Sequence, residues 1–147
     1  MYNEGNTSKR EGQVLAVHTD TTTSAVTTSS SSYSDTGLTV TFTPTSIGST
    51  VLISYTHRPN NTDSGGDQSV DTGFNIAGSV VDEDYVSNTG SNNQYVQSTY
   101  SGQYIYTTTS LSPVTIKLQH KYTGSASSAK WHIGNTQASL VVMAIVA

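Results

Sequence analysis

Four histidines, ten carboxylates and nine tyrosines are the side chains of this 147-residue sequence best equipped for chemistry. His18, His57, His120 and His132 fall on four separate predicted strands. No two of them share the HxH or HxxxH spacing that brings a pair of imidazoles to one metal ion. His120 lies in the apolar phase of its strand, which predicts a buried or interfacial imidazole with a hydrogen-bond partner rather than a ligand. The carboxylates gather in two stretches, Asp63/Asp67/Asp71 and Asp82/Glu83/Asp84. Calcium takes oxygen ligands from such loops, but DSGGDQSVD departs from the D-x-D-x-D-G pattern and VDEDY reads as a short acidic turn. Two carboxylates held ~5–9 Å apart across a cleft could hydrolyse a glycoside, yet enzymatic spikes of that kind need a longer scaffold. No cysteine is present, which removes disulfides, thiolate nucleophiles and Cys-ligated metals. The expectation is a protein that is not an enzyme, with no catalytic residue, no metal and no cofactor.

The tyrosines suit binding better than catalysis. Tyr95, Tyr100 and Tyr104, beside Asn92, Asn93 and Gln94, offer aromatic faces and amides that stack on and hydrogen-bond sugars or protein partners, and form a candidate glycan or partner loop. Tyr is equally a good strand former whose phenol tolerates a wet edge. Six Lys plus Arg against a net charge of −4 leave no basic footprint for phosphates, so nucleic acid is not an expected partner. The opening MYNEGNTSKREG has no apolar core of a signal peptide, and no segment approaches the ~18 apolar residues of a membrane span. A soluble protein made in a cytoplasm, with no membrane partner, is expected.

The elements that must hold these residues are strands. Hydrophobic residues are 33% of the chain and charged residues 11%, both below the usual shares of about 45–50% and about 25%, with Ser and Thr filling the gap. Thr favours strands and Ser favours turns and edges. GLTVTFT alternates strictly, with Leu38, Val40 and Phe42 on one face. After a Pro44/Gly48 turn, Val51 and Ile53 resume the pattern together with Tyr55. Phe74, Ile76 and Val80 are in phase in TGFNIAGSVV, and VDEDYVSNTGSNN after it reads as a long loop. Gly102 reads as a turn or bulge inside the Tyr-rich segment. Val114, Ile116 and Leu118 alternate with Thr115, Lys117 and Gln119, and Trp131 and Ile133 share one face of AKWHIGN. The Ser/Thr run between Thr19 and Asp35 reads as edge or loop. No 3.6-residue apolar stripe with caps stands out. About eight short strands with Gly, Pro and Asn turns predict an all-β, two-sheet antiparallel sandwich, jelly-roll-like in the manner of TNF/C1q-like or related domains.

The closing stretch ASLVVMAIVA is apolar on both faces: Leu140, Val142, Ala144 and Val146 point one way and Val141, Met143 and Ile145 the other. In a two-layer sandwich one of these sets has no core to meet, so a second cover is required, either another subunit or the chain's own loops such as the Ser/Thr-rich run. An uncovered set would leave on the order of 300 Å² of apolar surface, enough to mark an interface. Leu140, Val142, Ala144 and Val146 are assigned to an oligomer interface because Ala138 and Ala144 permit close approach at a symmetry axis. Val141, Met143 and Ile145 are assigned to the core.

The early GQVLAV strand, the Thr/Ser run, SYSDTGLTVTFTPTSIGSTVLISY and the closing SLVVMAIV together resemble small virion proteins and fibre-head domains of tailed bacteriophages, marine and cyanobacterial ones especially. Tyr33, Asp35, Thr36, Gly37, Leu38 and Pro44, followed by the Val51–Tyr55 strand, carry the resemblance, which spans most of Gln13 to Ala147. It implies a compact β domain, often trimeric, displayed on a capsid or at the end of a fibre, and it supplies no catalytic residue. Two departures are the lack of a long shaft before the domain and Ala144 where related tails carry an acidic residue. The expected organisation is an arm over residues 1–12, docking on capsid or fibre proteins through Tyr2, Lys9 and Arg10, and a sandwich domain over residues 13–147. The expected protein is a homotrimeric capsid decoration or head-fibre protein at the virion surface. The alternatives are the glycan-binding tip of a tail fibre and a cellular lectin-like module.

Overall fold

The computed structural model describes residues 12–59, 68–88, 99–124, 129–132 and 135–145. Ten strands follow in chain order: β1 (Val14–Thr22), β2 (Val26–Thr28), β3 (Ser34–Phe42), β4 (Thr50–His57), β5 (Gln68–Ile76), β6 (Ser79–Asn88), β7 (Tyr100–Thr107), β8 (Val114–Tyr122), β9 (Ala129–His132) and β10 (Ala138–Ile145). Eight of them form two four-stranded antiparallel sheets, ordered β1-β10-β4-β7 and β3-β8-β5-β6, while β2 and β9 pair separately. Along the chain these eight strands switch sheets at every step except the β5–β6 hairpin. That winding is a jelly roll. No helix of the described residues is long and apolar enough to cross a membrane.

The period-2 pattern builds the core directly, because alternate side chains of a strand point to opposite faces. Leu38, Val40 and Phe42 of β3, Val51, Ile53 and Tyr55 of β4, Phe74 and Ile76 of β5, and Val114, Ile116 and Leu118 of β8 are all buried. Trp131 closes the core from β9 and is fully buried. Ile133 and Val146, assigned above to core and interface, lie outside the described residues.

Three local readings are corrected. The strand expected to open at Gly37 begins at Ser34, because Thr36, Gly37 and Leu38 bulge out opposite Leu118. Gly37 takes φ 94° there, and the Thr36 hydroxyl donates to the Leu118 carbonyl at 2.8 Å, restoring a hydrogen bond that the ladder loses. The stretch expected to be a long loop after Val81 continues as β6. Ala77 and Gly78, at φ 51° and 95°, make the two-residue turn of a hairpin, with the Gly78 amide donating to Asn75 Oδ1 at 3.0 Å. The Ser/Thr run, expected as edge or loop, supplies the end of the edge strand β1 and the short strand β2. Gly102 sits in an unbroken β4–β7 register, with neither turn nor bulge.

The last correction concerns β10, a central strand between β1 and β4. Ala138, Leu140 and Val142 are fully buried in the core, and Val141, Met143 and Ile145 lie on the outer face, half-buried. Leu140 and Val142 are therefore core residues and not the outward set. Ala144 shares their inward phase, half-buried at one end of the sandwich in a cleft with Leu15, His18, Phe42 and Val51. Small residues at a strand end mark where the two sheets converge equally well as where two subunits do, and the phase follows instead from register: Leu140 lies opposite Tyr55 and Val142 opposite Ile53, both inward.

Candidate functional site

Registers place a continuous apolar row on the outer face of the β1-β10-β4-β7 sheet. Val17 pairs with Met143, Met143 with Leu52, and Leu52 with Ile105, so one residue from each strand stands in line across the sheet. Val17 is 54% exposed and Ile105 65%. Met143 and Leu52, on the two central strands, are half-buried by their neighbours. Ile145 opposite Val14, and Val141 opposite Ser54, extend the row to either side. The remaining outward positions are Ser, Thr and Gln, as in Thr19, Ser54 and Gln103, and no charged side chain stands on this face among the described residues.

The outer face of the β3-β8-β5-β6 sheet is built differently. Lys117 Nζ donates to Asp35 Oδ2 at 2.7 Å, and Gln119 Nε2 donates to Asp35 Oδ1 at 2.6 Å. These two bonds, Lys117's first, hold the Asp35 carboxyl below the usual aspartate range. Lys121 pairs with Asp71 at 3.3 Å and lies 4.6 Å from the centre of the Tyr33 ring. Thr41 and Thr115 share a hydroxyl contact at 3.0 Å. Among the described side chains, this is a wet face whose charges are answered locally.

The sheet edges differ too. β1 carries a register shift and Asp20, β3 a bulge and Asp35, and β6 is shifted against β5 next to its acidic run. Bulges and charges of this kind keep an edge from pairing with another chain. β7 has neither: its eight residues keep unbroken register with β4 and include no charge and no proline.

Between the sheets, three of the four histidines meet around Trp131, a convergence that sequence spacing did not reveal. The His57 ring stacks on the indole at 4.5 Å and 5°, His120 lies at 6.1 Å and 18°, and His132 at 6.0 Å and 56°. The indole N–H donates to Thr72 Oγ1 at 2.9 Å. His57 Nδ1 is 2.7 Å from the Trp131 carbonyl, an acceptor, so the proton is on Nδ1 and the buried Nε2 is bare. Burial lowers the His57 pKa to about 4, against the Trp131 carbonyl bond that favours the charged ring. Burial likewise lowers His120 to about 4, opposed by the Asp35 charge. His18 is apart, tilted against Phe42 at 6.4 Å. No group of three or more metal-ligating side chains with suitable geometry is found among the described residues. The cluster is a brace that ties the two sheets together.

The tyrosines expected in a loop are partly strand. Tyr100 and Tyr104 are on β7 in its inward phase, where Tyr104 packs against the core and contacts Phe74 at 6.2 Å, and Tyr100 lies 6.0 Å from His57. Tyr95, with Tyr2, Lys9 and Arg10 of the arm, lies outside the described residues.

Comparison with known proteins assigns no family to this jelly roll: neither the family models nor the curated proteins gave a match. Among solved structures, the chain is similar to one described as dimeric latent PorU from Porphyromonas gingivalis, at 14% identity and a TM-score of 0.47. That alignment covers 98% of this chain and 14% of the PorU chain.

Proposed function

We propose that the chain is a structural protein of a bacteriophage virion, a homotrimeric jelly-roll module that decorates the capsid or caps a head fibre and acts by binding. The observation that supports this reading most is the division of labour between the two outer faces. One is uncharged with an apolar row, suited to contact with protein, and the other is hydrated and charged, suited to display. Jelly rolls recur in viral capsid and lectin domains, and the sequence resemblance given above points to the virion among these. Residues 1–12 are the proposed attachment segment.

Purified full-length chain is expected to bind undecorated capsids, and deletion of residues 1–12 is expected to abolish attachment while leaving the oligomer intact. A chain that adheres to host cells or surface polysaccharide but not to capsids would replace this reading with the tail-fibre tip.

A further inference from the structure

We infer that copies of this chain join through the outer face of the β1-β10-β4-β7 sheet, with the row Val17–Met143–Leu52–Ile105 at the centre of the contact. This deepens the proposed function and rests on its reading of the chain as a self-assembling module.

A central strand can carry apolar residues on both faces only if both are covered. The inner set of β10 is covered by the sandwich, and among the described residues the outer set has neighbours only within its own sheet. The apolar row belongs to all four strands and not to β10 alone. It runs through two edge strands whose members are more than half exposed, so the sheet itself does not hide it.

The occupant is a second copy because of charge. The chain carries −4, so most pairs of surfaces from two copies would set like charges against each other. The outer face of this sheet avoids this among the described residues, because its outward side chains are aliphatic or neutral polar. Loss of charge at the centre with hydroxyls and amides around it is the anatomy of a protein interface. Four strands ~4.8 Å apart and eight residues long give a footprint on the order of 500 Å² before side-chain relief is added. A standard interface buries about 800 Å² per partner, so the contact uses the whole sheet face. It also reaches β7, the edge that lacks a bulge or a charge, and shields it from unregulated strand pairing.

Sedimentation of the full chain at micromolar concentration is expected to give an oligomer of at least twice 15.6 kDa. The double substitution Val17→Asp/Ile105→Asp sets two like charges per copy at the ends of the row. Both positions are on edge strands and exposed, so the fold carries the change. It is expected to raise the dissociation constant by roughly 100-fold or more, with the far-UV circular dichroism of the folded β domain retained. Thr41→Asp, on the other outer face, is expected to leave the mass unchanged. The chain has no cysteine, so Ile105→Cys with a short bismaleimide is expected to give covalent dimers and Thr41→Cys none. A wild-type monomer at tens of micromolar overturns the inference, and so does an oligomer that survives the double substitution. An oligomer that dissociates as described but never binds capsids leaves this interface standing and defeats the virion assignment alone.

Discussion

The two sheets of this jelly roll have matching inner faces and contrasting outer ones. Inside, each supplies alternating aliphatic and aromatic residues to one core, and each places a histidine against Trp131, His57 from β4 and His120 from β8. Outside, β3-β8-β5-β6 shows Asp35 with Lys117 and Asp71 with Lys121, whereas β1-β10-β4-β7 shows Val17, Met143, Leu52 and Ile105. Folding constrains the inner faces equally, since any polar side chain there must find a partner or destabilise the sandwich. Folding makes no such demand on the outer faces. A difference there bears on what each face meets, and the proposed contact between copies would set water on one side and protein on the other.

If the inner faces are equivalent, both histidines should respond to acid in the same way. Their folded pKa values near 4 lie below the ~6.5 of an exposed histidine, so the unfolded chain binds more protons between these values. Stability is full above about pH 6.5, falls as the pH drops toward 4, and levels off with respect to these groups below that. His57 alone accounts for roughly 3 kcal/mol of the loss, from a shift of about 2.5 pH units at 1.36 kcal/mol each. His120 adds in the same direction. Urea titrations at pH 7 and 4.5, followed by circular dichroism, measure the difference, and His57→Gln should flatten the slope. Stability independent of pH across this window would mean that the rings reach water and that the brace around Trp131 is looser than its stacking implies. Asp35 separates cleanly from this effect. Its carboxyl is held below the ordinary value, so its contribution is present above ~3.8 and lost as the pH falls further.

The outer charges offer the next contrast. Lys117 and Asp35 are 40% and 44% exposed, so Lys117→Ala should cost no more than about 1 kcal/mol, and less at high salt. The oligomeric mass should be unaffected, since the pair is on the hydrated face. A change of mass with Lys117→Ala would move the interface to the opposite sheet and reverse the assignment of the two faces.

How far these faces are legible from sequence depends on which signal each uses. Alternation made the inner faces of β3 and β8 readable residue by residue, because polar residues such as Thr39, Thr41, Lys117 and Gln119 occupy the outward places, whereas the outward Leu52 interrupts the pattern in β4. β10 defeated that approach, since Leu140 and Val141 are equally apolar and only pairing with Tyr55 and Ser54 distinguishes them. The apolar row was hidden for the same reason: its four residues come from four strands far apart in the chain, so no window along the sequence contains them. The Trp131 cluster is likewise a product of topology. β6 was missed because its acidic residues resemble a loop while the Ala77–Gly78 turn before it lacks the usual Asn or Asp.

The smallest expected effect is the most discriminating. Ile105 is 65% exposed on an edge strand, so its sec-butyl group contributes little to the folded monomer, and Ile105→Thr keeps a β-branched side chain suited to the strand. Monomer stability should move by no more than about 0.5 kcal/mol, measured by urea titration at concentrations low enough to dissociate the assembly. Assembly should respond more strongly, because an isoleucine buried between copies loses most of its transfer free energy when a hydroxyl replaces the ethyl group. A residue serving only its own fold would show the two effects in proportion, and one serving the contact would shift association while leaving the fold untouched. Equal effects on both would assign Ile105 to the sandwich and leave the apolar row a feature of a single chain.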